Sequence, residues 1–176
     1  MKTRSQLDAP IVPDRRLGGF DLRTPIRDLS DFLCGLGSWR EGFCELVSPF
    51  EARYRLGKGE IELAVDVRNS KVFKIAAYPG YKGKLFDKIV VGMKVKTAME
   101  YEPRLFYSEV EAAILCQDFT GLTLDVSEID PPPELIPDMT ISAISVHCRT
   151  LHSARNVWRV VTIVCHHLDP QKGVWS

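Results

Sequence analysis

The sequence predicts an α+β fold: a twisted antiparallel β-sheet built as a meander, with two short helices, in a single domain. Three observations carry this. Residues 61–68 alternate, with Ile61, Leu63, Val65 and Val67 on one face and Glu62, Ala64, Asp66 and Arg68 on the other, the period-two pattern of a strand with one wet side. Gly57-Lys58-Gly59 and Asn69-Ser70 interrupt the chain on either side of that run, at hairpin spacing. Only two windows carry helical spacing with start and stop signals, and both are short. A chain of 176 residues suits one domain, which buries roughly two-thirds of its unfolded surface without staples.

Residues 1–16, with Pro10 and Pro13, read as an irregular N-terminal arm, and residues 17–176 as the domain. "RLGGFDLRTPI" places a Gly-Gly turn before a short apolar run, an edge-strand pattern. Ser30 is a capping residue ahead of Phe32, Leu33 and Leu36, giving a short helix closed by Gly35 or Gly37. "EARYRL", "GEIELAVDVRN" and "KVFKIAAYPG" form a three-stranded antiparallel meander. "KIVV" (88–91) is strand-like, and Gly92-Met93 breaks it. Val95, Ala98, Met99 and Glu102 then sit at helical spacing until Pro103 stops the run, because proline lacks the N–H and clashes with the preceding turn. "VEAAILCQDF", "TGLTLDVSEID" and "MTISAISVHC" are further strands, with Leu122, Leu124 and Val126 alternating with Thr123, Asp125 and Ser127. Between the last two, "DPPPELIPD" has too few donors to join a ladder and reads as a stiff acidic loop.

Composition excludes several classes. The N-terminus has no apolar h-region and no window approaches the ~18 apolar residues of a membrane span, so a cytoplasmic location is expected. Five cysteines at 34, 44, 116, 148 and 165, with no CxxC, suit free thiols better than a disulfide framework. A formal net charge of zero argues against an overall grip on nucleic acid.

Candidate chemistry is thin. All four histidines (His147, His152, His166, His167) lie in Ser145–Leu168 with Cys148 and Cys165. The end of this segment is ambiguous: Val157, Val161, Val164, Cys165 and Leu168 fit a helical stripe, whereas crowded Val, Ile, Thr and Trp favour a strand. In a strand, adjacent histidines face opposite sides, and no tight-turn ligand pair is present; no metal and no cofactor is expected. "GYKGKL" lacks the Ser or Thr that must follow the lysine of a phosphate loop. Glu109 and Glu111 share one face of a strand, which suits a solvent edge as well as an acid/base pair. No catalytic residue is assigned, and the chain is not expected to be an enzyme.

Charge is segregated along the chain. From Arg68 to Lys96 eight basic residues stand against Asp87 alone, and from Glu100 to Asp138 ten acidic residues stand against Arg104 alone. The two runs either solvate adjacent faces or present an acidic patch to a basic partner, which would speed and orient association. A resemblance favours the partner. "YKGKLFDKIVVGMKVKTAMEYEP", the hairpin "EIELAVDVRNSKVFKIAAYPGYKGKL" and "GLTLDVSEIDPPPELIPDMTISAISV" are similar to segments of bacterial immunity proteins that neutralise polymorphic or contact-delivered toxins of the Rhs or type VI secretion type. The likeness spans about Leu17–Val146 and is looser to outer-membrane assembly lipoproteins, whose lipobox cysteine this chain lacks. The resemblance implies a cytoplasmic inhibitor that binds a cognate toxin domain, a basic protein, stoichiometrically and occludes its active site. The partner-binding residues expected are Glu100, Tyr101, Glu102, Tyr107, Glu109, Glu111, Glu128, Asp130, Glu134 and Asp138, with Phe106 among them as a further aromatic. The alternatives are a small enzyme or ligand- or metal-binding domain using the His/Cys tail, and a structural adaptor.

Overall fold

The computed structural model describes residues 7–30, 33, 44–128 and 131–148. Its centre is an eight-stranded antiparallel sheet made of two meanders. The first is β3 (Cys44–Ser48), β4 (Glu51–Leu56), β5 (Ile61–Asp66) and β6 (Lys71–Ala77); the second is β7 (Leu105–Ser108), β8 (Ala113–Cys116), β9 (Phe119–Val126) and β10 (Ile141–His147). The strand order is β3-β4-β5-β6-β10-β9-β8-β7. Sequence neighbours pair throughout each meander, and the two join through β6 and β10, with Ile144 opposite Ala77 and His147 opposite Lys74. The expected α+β class and the β4–β6 meander therefore stand, as do the strands at 113–116, 119–126 and 141–147.

Register sorts the side chains into two faces, because successive residues of a strand point to opposite sides. One row of pairs runs Leu56–Ile61–Ala77–Ile144–Leu124–Ile114–Tyr107. Its members from Leu56 to Ile114 belong to the apolar core, with Tyr107 packed against it. Fully burying one Leu or Ile is worth about 1.5–3 kcal/mol, so this row fixes the register. The next row is Arg55–Glu62–Ala76–Ser145–Thr123–Leu115–Phe106, on the second face. A bulge on β6 between its pairings to Ala64 and Val65 keeps Val72 and Ile75 both in the core.

The core face is covered by the N-terminal segment and by one helix. β1 (Arg16–Leu17) and β2 (Phe20–Asp21) form a separate two-residue hairpin, rather than the expected edge strand of the main sheet. Gly18 and Gly19 at φ 62 and 84 supply the left-handed turn that such a hairpin requires. Leu17, Phe20, Ile26 and Leu29 seat on the sheet. The segment before β1 is tied down: the Ile11 N–H donates to Lys84 O at 2.8 Å, and Ile11 is buried. Helix α1 (Val95–Tyr101) buries Val95 and Ala98 and ends before Pro103, where the spacing put it.

Three expectations need correction. "KIVV" is not a strand: Phe86 and Asp87 take left-handed φ of 51 and 61, and the turn they make leaves only an isolated bridge between Leu85 and Ile89. The proline-rich loop winds into a 3-10 helix over Pro133–Asp138, which needs fewer donors than a ladder and starts on prolines whose φ is already suitable. The second face is not wet along β5, because Glu62, Ala64 and Asp66 are all buried. The helix expected after Ser30 falls, apart from Ser30 and Leu33, outside the described residues, as does everything after Cys148.

Candidate functional site

The expected acidic residues separate into two groups by topology. Ser108 pairs with Ala113, so Glu109–Ala112 is the β7–β8 turn; Ala112 at φ 48 helps close it. Val126 pairs with Ile141, and the Ser127 N–H donates to Thr140 O at 3.1 Å. The Glu128 loop and the 3-10 helix before β10 therefore lie at the same end of the sheet as that turn. Five carboxylates, those of Glu109, Glu111, Glu128, Glu134 and Asp138, lie at that end, all exposed. None forms an ion pair among the described residues. Val110, 93% exposed, and Leu135, 50% exposed, stand among them. Lys94 and Lys96 flank the group, because α1 starts at this end with the Val95 N–H donating to Met139 O at 2.9 Å. Glu109 and Glu111 thus belong to a turn, not to one face of a strand as expected.

Glu100, Tyr101 and Glu102 lie toward the opposite end, where α1 finishes and β7 begins. Tyr101 is 49% exposed, and Lys88 Nζ sits 5.4 Å from its ring centroid. Glu102 is not a docking group. It is buried and accepts from Arg104 Nε and Nη2, both at 2.7 Å; that guanidinium holds its carboxyl below the usual range. Arg104 also bonds Asp118 at 2.6 Å and stacks over Phe86 and Phe119 at 5.5 and 5.7 Å, so the group clamps α1 to the β8–β9 turn. Tyr107 is not an anchor either, because its register places it on the core row, where it is half-buried. Phe106, 40% exposed, points to the second face. Asp130 lies outside the described residues.

The second face carries a constellation that linear charge reading missed. Glu62 bridges Arg55 at 3.3 Å and Arg53 at 3.8 Å, while Arg55 reaches Glu45 at 3.5 Å and Arg53 reaches Glu51 at 2.6 Å. Tyr78 lies close by, and burial first, then the carboxylates of Glu62 and Asp125, push its phenol upward. The alternation of β4 and β5 could have revealed this ladder, since Arg53, Arg55 and Glu62 fall on one face. Every arginine in it is matched, so it ties strands together rather than presenting free charge.

No metal arrangement of three or more His, Cys, Asp or Glu occurs among the described residues. His147 Nε2 lies 3.1 Å from Thr123 Oγ1, and Cys44, Cys116 and Cys148 are free thiols. His152, His166, His167, Cys34 and Cys165 fall outside the described residues. No described helix is long and apolar enough to cross a membrane.

No family model matches the chain, and no curated protein matches it. Among solved structures, the uncharacterized protein yfeY from Escherichia coli is similar, with a TM-score of 0.53 at 11% identity, over 78% of this chain and 99% of that one. At that identity the likeness concerns the fold: this chain shares its chain path with yfeY over most of its length.

Proposed function

We propose that this protein is a stoichiometric inhibitor, a cytoplasmic immunity protein that neutralises a basic toxin domain by docking onto it and blocking its active site. The observation that supports this reading is the acidic end of the sheet, where exposed carboxylates with no ion pair among the described residues share the surface with exposed Val110 and Leu135. Exposed like charges repel one another and cost stability unless a partner neutralises them. Val110 lies between Glu109 and Glu111 and Leu135 follows Glu134, exposed apolar side chains next to charge, as at an interface with a polar rim. The rigid sheet beneath holds both loops in register, so little ordering is required on binding.

Calorimetry against the proteins encoded on either side of this chain's gene tests the reading. A one-to-one complex at nanomolar affinity, weakening as salt rises, is the expected result. Absence of heat and of co-elution at low salt would remove the immunity reading.

A further inference from the structure

We propose that β3, at one edge of the sheet, pairs antiparallel with β3 of a second copy of this chain and joins the two sheets into one. In the strand order β3 is terminal, and among the described residues it pairs only with β4. Its outer row of backbone N–H and C=O groups is a template for a further strand. The devices that usually guard such an edge are few. Cys44–Ser48 holds no proline and no lysine, and its one charge, Glu45, turns inward to Arg55 at 3.5 Å. A register shift falls at Val47, beside the hairpin, and Cys44, Glu45 and Leu46 pair regularly with β4. The opposite edge is better protected: β7 has four residues, and α1 packs beside it.

The side chains select the occupant. One cross-strand row runs Leu46–Ala52–Val65–Val72. Ala52 is 3% exposed and Val65 and Val72 are fully buried, whereas Leu46, at the end of the row, is 65% exposed. The apolar core thus reaches the edge and stops on an uncovered leucine, with Val47 and Phe50 exposed close by. A strand that continues this row must bring an apolar side chain to Leu46 and no carboxylate to Glu45. β3 itself does both. Antiparallel pairing centred on Leu46 sets that residue against its own counterpart, Glu45 against the counterpart of Val47, and Cys44 against that of Ser48. Directly opposite residues point to the same side of a sheet, so the two cores meet as one layer. Centring on Glu45 instead would oppose two carboxylates, which is destabilising. A strand that complements itself in this way closes a twofold dimer. A contact of one five-residue strand falls below the about 1,200 Å² of a stable specific interface, so the dimer forms in a concentration-dependent equilibrium. The acidic end belongs to the other meander and stays clear of the contact.

The test uses the full chain without any partner protein, so its outcome is independent of the toxin reading. Sedimentation velocity across the micromolar range should show the monomer converting to a species of twice its mass. Leu46→Lys sets two ammonium groups directly opposite each other and should weaken the dimer by about tenfold or more. Far-UV circular dichroism of that variant should stay native, because the position is exposed. Leu46→Cys supplies a second readout. Opposed Cβ atoms lie about 4.5–5.5 Å apart, close to disulfide reach, so mild oxidation should link two copies far faster than in the unsubstituted chain. Glu45→Cys, displaced from its own counterpart, should not link. A chain that stays monomeric throughout the range overturns the proposal. So does a dimer that Leu46→Lys leaves intact, or one in which Leu46→Cys links no better than Glu45→Cys.

Discussion

Replacing Tyr81 by Phe isolates one polar joint that fastens the N-terminal segment to the sheet. Tyr81 is 4% exposed; its hydroxyl donates to Ala9 O at 2.6 Å and accepts from the Gly18 N–H at 3.0 Å. Gly83 is required beside it, since a Cβ there would collide with Ala9 O and the Tyr81 ring. Phenylalanine keeps the ring and its packing, so only the polar terms change. Two hydrogen bonds at about 0.5–1.5 kcal/mol each are lost, and the buried Gly18 N–H is left unpaired at about 1–3 kcal/mol. These overlap, giving a loss of about 2–4 kcal/mol. For a chain of this size, at about 2–4 °C per kcal/mol, the thermal unfolding midpoint read by circular dichroism should fall by about 4–16 °C. Alkaline titration adds a second readout. Burial, the largest cause, pushes the Tyr81 phenol up to about 12, above the ordinary value of about 10. Its contribution is therefore complete below pH ~10 and disappears as pH rises from there through about 12. Tyr81→Phe should remove that share of alkaline destabilisation. A stability change under about 0.5 kcal/mol, with an unaltered alkaline limb, would show that the joint carries nothing.

Reversing Glu111, Glu134 and Asp138 to Lys should leave the unfolding temperature nearly unchanged, since exposed substitutions cost within about 0.5 kcal/mol. The same reversals should slow association with a basic partner tenfold or more at low salt, read by stopped-flow; unchanged rates would place docking elsewhere. Glu102→Gln should flatten the acid limb of stability. The Arg104 ion pair lowers the Glu102 carboxyl, so its contribution is present above the ordinary carboxylate range of about 4 and is lost as pH falls below it. Melting curves across that range check the sign. Gly121→Ala should destabilise by about 1–3 kcal/mol through overpacking, because a Cβ there strikes His147 O and Asp14 Oδ1; a neutral effect would mean that β9 and β10 can part freely. Asp66→Ala should cost about 3 kcal/mol: this buried carboxylate accepts from the Arg68 N–H, Nε and Nη2 and from Asn69 Nδ2 at 2.9–3.1 Å, and urea titration would report the loss.

What the sequence by itself determined is local. Alternation at 61–67 and 122–126, the Gly and Asn turns, and the helical spacing from Val95 to Pro103 each act within a few residues, so the pattern alone placed them. The pairing of β6 with β10, about 70 residues apart in sequence, was decided only in three dimensions, by the row of apolar side chains that this register buries. Within the second meander, the β7–β8 and β9–β10 pairings split the acidic run, leaving Glu109, Glu111, Glu128, Glu134 and Asp138 at one end, while Glu102 is held by Arg104. Glu62, Ala64 and Asp66, which alternation had assigned to water, are buried: a period-two pattern says which residues share a face, and only the rest of the chain decides whether that face stays exposed. "KIVV" shows the converse, since its β-branched residues suit a strand, but the left-handed turn at Phe86-Asp87 sends it across the core instead.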